Sequence, residues 1–372
     1  MRQIFKKSVI LVSLAIIIVA CSKSEKSLSE QLLALKAVNF AEQPEEIVFE
    51  KPTGRVIGGE MQYLQTVRKQ KVLNPVEIIQ PTNLDVIYPG SVLRGDSFME
   101  GKYDPILIKN PKEIVLSTTL LGKDLNVKKT SKAIPSEVRQ SVNDLLNRLE
   151  DKIDYDNTAS DISYFSHEIT TKESFNKCFG VHANVNVLSG IIDAKFSYQE
   201  SQLTGNSKKK ILIKVRQLFY NVTVDPKSSD EWGDLVNIGD YEPIYISSVD
   251  YGRVVHIYVE TNNSYENAIR VIETGIGLKF AKIGGGVSTE QKQELTKFFQ
   301  ENKVKIILSG GPLSMGKNVS DVDSLREFLE KPKAEDLVKS ATPIGYKVRT
   351  LKDNKEVEVR VMYTEQRFKN KN

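Results

Sequence analysis

Two runs of the chain carry almost no breakers. Residues 210–225 and 244–261 are rich in Ile, Val, Phe and Tyr, and both exceed the ~5 to 6 residues usual for a strand in a globular sheet. They predict two long strands in the middle of the protein. Shorter strands are expected at 46–49, 76–79, 106–108, 114–117 and 303–308, set off by Pro and Gly signals. Val138, Val142, Leu145, Leu146 and Leu149 recur at helical spacing behind Pro135-Ser136 and predict an amphipathic helix. A short helix is expected at 28–38, and Val322, Leu325, Phe328 and Leu329 mark another that stops near Pro332. Residues 346–363, with Lys352-Asp353-Asn354 as the turn, read as an antiparallel hairpin. The pattern is α+β, dominated by long antiparallel strands.

Two stretches can be read at two periods. In 175–199, Val181, Ala183, Val185 and Val187 alternate with polar residues, and Ile192, Ala194, Phe196 and Tyr198 alternate again after Leu188-Ser189-Gly190. Each arm approaches the ~9 to 11 residues of a transmembrane β-strand, with apolar and polar faces separated as a barrel wall requires. The same residues also tolerate a helix. In 265–303, Tyr265, Ala268, Ile269 and Ile272 follow helical spacing, and Ile276, Leu278 and Phe280 then alternate toward Gly284-Gly285-Gly286, a flexible pivot or turn. Beyond it, Ser288 and Gln291 form a capping box for a helix with Leu295, Phe298 and Phe299 on one face. The bland alternative for either stretch is a half-buried hairpin packed on a domain.

At the N-terminus, Arg2, Lys6 and Lys7 precede an apolar run at 9–19 and the sequence Ile18-Val19-Ala20-Cys21. This predicts a cleavable lipoprotein signal at 1–20 with Cys21 acylated; the run is shorter than the ~20 residues a spanning helix needs. The formal charge of +4 owes three basic residues to that signal, and a near-neutral mature chain gives a nucleic-acid partner little support. A chain of 372 residues predicts two or three domains. Cys178, the other cysteine, is expected to be a small buried hydrophobe, with no intramolecular disulfide. His167, His182 and His256 are scattered and match no metal or triad spacing. Gly311 to Asn318 approaches a phosphate-binding loop, but Asn318 stands where Ser or Thr must ligate magnesium. Neither catalysis, a metal nor a cofactor is expected.

Four motifs, in order, resemble the cholesterol-dependent, thiol-activated cytolysins of the perforin-like superfamily: Ile87-Tyr88-Pro89-Gly90, Leu218-Phe219-Tyr220-Asn221-Val222-Thr223, the strand from Pro243 that ends in Tyr251-Gly252-Arg253, and Leu308-Ser309-Gly310-Gly311. The resemblance runs from about 48 to 364. It implies an elongated α+β protein with a central twisted antiparallel sheet, flanked by two helical bundles that convert to transmembrane β-hairpins, and a long-stranded connecting domain. The implied division is a tether and first helix at 21–45, a connecting β-domain at 46–85 and 345–372, and an α/β domain at 86–172, 217–243 and 310–344. The pore-forming domain is then 173–216 and 244–309, with hairpin regions at about 178–209 and 264–302.

In that family soluble monomers assemble into rings and their hairpins close a giant barrel, so the resemblance implies a homo-oligomer that meets a lipid membrane. It places Val181, Ala183, Val185, Val187, Ile192, Ala194, Phe196 and Tyr198 in the first inserting hairpin and Ile272, Ile276, Leu278 and Phe280 in the second. Gly284, Gly285, Gly286, Gly310, Gly311, Tyr251 and Gly252 are the implied hinge and oligomerisation positions. The family's C-terminal cholesterol-binding sandwich, with its Trp-rich loop, has no counterpart before Asn372, and Trp232 is the single tryptophan. Membrane binding is therefore expected from the Cys21 lipid, the hairpins or a longer homologous partner in a hetero-oligomer. The alternative is a non-lytic surface lipoprotein, an adhesin or scaffold on the same core.

Overall fold

The computed structural model describes residues 27–78, 83–123, 128–155, 161–171, 173–180, 182, 208–277, 286–311, 321–330 and 333–371. Cys21, all eight residues of the first expected hairpin, and Leu278, Phe280, Gly284 and Gly285 lie outside these residues.

In chain order the strands are β1 (Glu46–Ile57), β2 (Glu60–Leu73), β3 (Val76–Glu77), β4 (Val92–Leu93), β5 (Leu107–Lys109), β6 (Glu113–Thr118), β7 (Lys128–Lys132), β8 (Asp161–Glu168), β9 (Lys209–Val224), β10 (Asp234–Val236), β11 (Ile244–Thr261), β12 (Lys303–Ser309), β13 (Thr342–Thr350) and β14 (Val359–Lys371). The helices are α1 (Leu28–Leu33), α2 (Gly95–Met99), α3 (Pro135–Leu149), α4 (Ser174–Phe179), α5 (Tyr265–Gly275), α6 (Thr289–Glu301), α7 (Val322–Glu330) and α8 (Ala334–Lys339). The two long strands expected from breaker-free sequence are β9 and β11, and the amphipathic helix is α3.

The central sheet runs β3-β13-β11-β9-β6-β7, with β12 and β4 also pairing β11 and β8 also pairing β9. Because β9 and β11 are so long, each has different partners along its two halves. One half is the set β8-β9-β11-β12; the other is bordered by β6 and β13. Alternation in the first half gives it two distinct faces. Ile211, Ile213, Val215, Val255, Ile257 and Val259 pack under α5, α6 and α7, whereas Leu212 and Tyr258 pack under α4 with Ile169, Phe175, Cys178 and Phe179. In the second half a register shift at Tyr251/Gly252 lets β9 turn Phe219, Tyr220, Val222 and Val224 into another core, against α3 residues Val138, Val142, Leu145 and Leu149.

A separate three-stranded sheet has the order β1-β2-β14. Here the pattern misleads twice. β2 is a fourteen-residue strand in a segment whose Gln, Lys and Arg content hides its alternation, because one side of this sheet faces solvent. Residues 346–363 do turn near Asn354 (φ 58°), and the chain pairs antiparallel beside that turn, Arg349 with Glu356, but the hairpin goes no further. β13 pairs β11 while β14 leaves to pair β2 along thirteen positions, so the turn links two sheets. Tertiary pairing outweighs the local turn signal.

Candidate functional site: the strand junction and the segments beyond it

At Gly252 the sheet changes partners. β13 accompanies β11 from Ile244 to Gly252, and β12 takes over from Val254 to Glu260. The exchange needs very close backbone approach. A Cβ on Gly252 would collide with the carbonyl of Gln217, and one on Gly310, where β12 ends at φ +77°, would collide with the carbonyl of Gly252. Gly311 (φ +89°) is pressed against the Phe328 ring. Tyr251 stacks on Tyr220 with centroids 5.1 Å apart and planes at 7°. Tyr251, Gly252, Gly310 and Gly311 therefore meet at one junction, whereas Gly286 precedes α6 with open space around it.

Arg253, quoted in a motif but not expected to act, anchors this junction. It is 2% exposed; its Nε donates to Gln217 Oε1 at 2.9 Å and its Nη2 to the Leu329 carbonyl at 2.9 Å, and Nη1 donates to the Phe328 carbonyl. A cation thus sits on the last carbonyls of α7, where the helix dipole favours it. Burial brings the guanidinium down to about 10, leaving it charged at neutral pH. One residue pair away, Arg216 and Asp250 form an ion pair at 2.5 Å with both side chains about nine-tenths buried. An arginine inside an otherwise apolar strand is the sequence signal for this anchor.

On the α5 side, Ser264 caps α5 by accepting from the Asn267 amide, and the Ser288–Gln291 capping box starts α6 as expected. Ile272, on the inner face of α5, and Ile276, the residue that ends it, belong to the second expected hairpin and are fully buried here. Gly275 lets α5 sit directly on Leu295 of α6.

On the opposite face, the approach to α4 is fastened to the free edge of β14. The Thr171 hydroxyl donates to the Thr364 carbonyl, Asn176 Nδ2 to the Met362 carbonyl at 3.1 Å, and the Gln366 amide to Thr170 Oγ1 at 2.9 Å. Side chains thus satisfy an edge that would otherwise be open for pairing. Glu365 adds Lys177 at 3.1 Å and Lys69, and these contacts hold its carboxyl below the usual range against burial. Cys178 lies in α4 fully buried, its thiol pushed up to about 12 by burial; it is the small buried residue expected.

Both segments start and finish at the same end of the sheet. β8 ends and β9 begins side by side, with Glu168 opposite Ile211. β11 ends and β12 begins beside them, with Thr261 opposite Lys209 and Glu260 opposite Lys303. Lys209 pairs with Glu168 at 2.7 Å along this line. Among the described residues no helix is long and apolar enough to cross a membrane, which says nothing about strands.

An antiparallel sheet whose long strands change partners midway, with helices placed in its strand connections and glycines at the exchange, defines the class. The chain belongs to the thiol-activated cytolysins, a family of pore-forming toxins, whose model matches residues 62–367. It is 22% identical over 318 residues to perfringolysin O of Clostridium perfringens, covering 81% of this chain and 61% of that protein. It is 26% identical over 324 residues to seeligeriolysin of Listeria seeligeri, covering 79% and 56%. The chain spans about three-fifths of the length of these relatives. Two crystal structures share its fold: the human-specific toxin intermedilysin, with TM-score 0.64 and 19% identity over 92% of this chain and 75% of that one, and suilysin of Streptococcus suis, with TM-score 0.63 and 20% identity over 92% and 76%.

Proposed function

We propose that the protein is a pore-forming subunit, assembling with copies of itself or with a longer relative into a large β-barrel in a target membrane. One observation carries this reading: four antiparallel strand ends lie in one row, and both dual-period segments leave and re-enter the sheet there. If 178–209 and 264–302 straighten, they extend β8-β9 and β11-β12 in the existing register as two hairpins. Val181, Ala183, Val185, Val187, Ile192, Ala194, Phe196 and Tyr198 then supply lipid-facing positions of one, and Ile272, Ile276, Leu278 and Phe280 of the other. Extension must be collective, because only a closed barrel satisfies every backbone group in lipid.

Gly252, Gly310 and Gly311 are the bend about which β12 moves, and Gly284 to Gly286 the turn of the second hairpin. Export as a lipoprotein acylated at Cys21 supplies the first membrane attachment. A bacterial lipoprotein carries more than one acyl chain and is held firmly, so release by cleavage within residues 22–45 precedes attack on a distant membrane. Dye release from liposomes, with and without the longer relative, tests the reading. Large SDS-resistant rings and leakage are expected; their absence under every combination removes it and leaves the non-lytic surface role.

A further inference from the structure

The three histidines, at 167, 182 and 256, converge on one element. His256 of β11 is 1% exposed, lies against the Phe179 ring of α4 with centroids 4.8 Å apart, and neither ring nitrogen has a hydrogen-bond partner. His167 of β8 is covered from the same side, its Nε2 3.8 Å from Glu365 and unbonded. His182 follows the left-handed Gly180 that ends α4 and is wedged against the Phe98, Phe40 and Tyr103 rings at 4.4, 5.2 and 6.5 Å. With α4 and His182 seated, His256 and His182 are buried and His167 is half-buried.

The surroundings set the sign. Around His167 stand Lys177 of α4, Lys69 and Lys71 of β2 and Glu365 of β14; burial and then Lys177 depress it to about 4, and Glu365 opposes them. Around His256 stand Lys214 of β9, itself paired with Glu77 of β3 at 2.5 Å, the Cys178 thiol's helix and apolar Ile307 of β12; burial, then Lys214, depress it to about 3. His182 is also depressed by burial, partly offset by its contact with the Phe98 carbonyl; the titratable group facing it is Tyr103, raised to about 12. Uncovered histidine titrates near 6.5. Above that value both states are neutral and pH is without effect. As pH falls from about 6.5 toward 4, the released state binds protons that the seated state does not, so the seated state loses stability.

We propose that α4 is a proton-linked latch: mild acid releases Ser174–Phe179 and the following His182 from their seats by protonating His256 and His167, beside which α4 packs, and His182 itself. The proposal rests on reading 178–209 as a segment that leaves the sheet, and it adds the condition under which departure is favoured. Between pH 7.5 and 5.5 His167 and His256 each shift the release equilibrium up to about tenfold, together up to about a hundredfold, and His182 adds in the same direction.

Hydrogen exchange of the full chain in solution, without membranes and corrected for intrinsic rates, reads this directly. Amides of α4 should lose protection by about a hundredfold or more from pH 7.5 to 5.5 while those of α3 hold theirs. His167→Gln, at the most accessible of the three positions, should cut the pH response about tenfold; His182→Phe should also reduce it, independently. Overturning results are a flat α4 profile, a loss that α3 shares equally, or an unchanged response in both variants. Because no pore is needed, an acid-sensitive α4 in a chain that never permeabilises liposomes retains the latch and removes the pore reading. An acid-insensitive α4 in a lytic chain does the reverse.

Discussion

Arg253 on β11 donates to the backbone carbonyl of Leu329 at 2.9 Å, so the point where the central sheet changes partners is held to the end of a helix more than seventy residues later. Replacing one partner of a buried charge-assisted set is costly because the remaining groups stay buried without compensation. Arg253→Leu removes the cation and its bonds to the Gln217 side chain and two backbone carbonyls. We expect a loss of roughly 3 kcal/mol, measured as a lowered urea midpoint with unchanged slope. A variant as stable as the parent would show that the anchor adds nothing.

The glycines separate into those packed at the junction and one that is not. Gly252→Ala places a Cβ against the Gln217 carbonyl and should destabilise by about 2 to 3 kcal/mol, in the range of overpacked cores. Gly286→Ala meets open space at an unstrained backbone and should change stability by no more than about 0.5 kcal/mol. Thermal melts of the two variants side by side decide the matter, and equal effects would contradict the assignment of Gly252 to a close-packed bend.

Ile272 is fully buried beneath α5 against the sheet. Ile272→Ala should lower the stability of the soluble form by about 2 to 5 kcal/mol. Calorimetry of the soluble chain checks this, and a cost below about 1 kcal/mol would mean that α5 is only loosely seated.

How much of this could be read from the chain varies with the range of the interaction. β9 and β11 announce themselves because both faces of their sheet are covered, which keeps polar residues and breakers out of long runs. α3 and the start of α6 rest on local spacing and caps, and those rules need no tertiary partner. β2 is obscured because Arg68, Lys69, Gln70 and Lys71 serve ion pairs and polar contacts on the faces of its sheet rather than a core. The turn at Lys352-Asp353-Asn354 is legible; the choice of β11 and β2 as partners for the strands flanking it is not, because sheet pairing is decided by distant residues. The same holds for the junction: the family motifs mark Tyr251, Gly252, Gly310 and Gly311, but only the fold brings Arg253 to Phe328 and Leu329. The histidines show no spacing at all in sequence, and the gathering of His256 and His167 beside α4, with His182 just past its end, exists only in three dimensions.

The central claim is that the segment beginning at α4 must leave β14 and the sheet before a pore can form. Oγ1 of Thr171 and Oγ1 of Thr364 lie 3.0 Å apart, so Thr171→Cys with Thr364→Cys places two sulfurs within bonding reach, and a disulfide there fastens the approach to α4 onto β14. Dye release from liposomes should be abolished in the oxidised double variant, given whatever partner the parent needs, and return on adding reductant. Equal leakage from the oxidised and reduced forms would contradict the account.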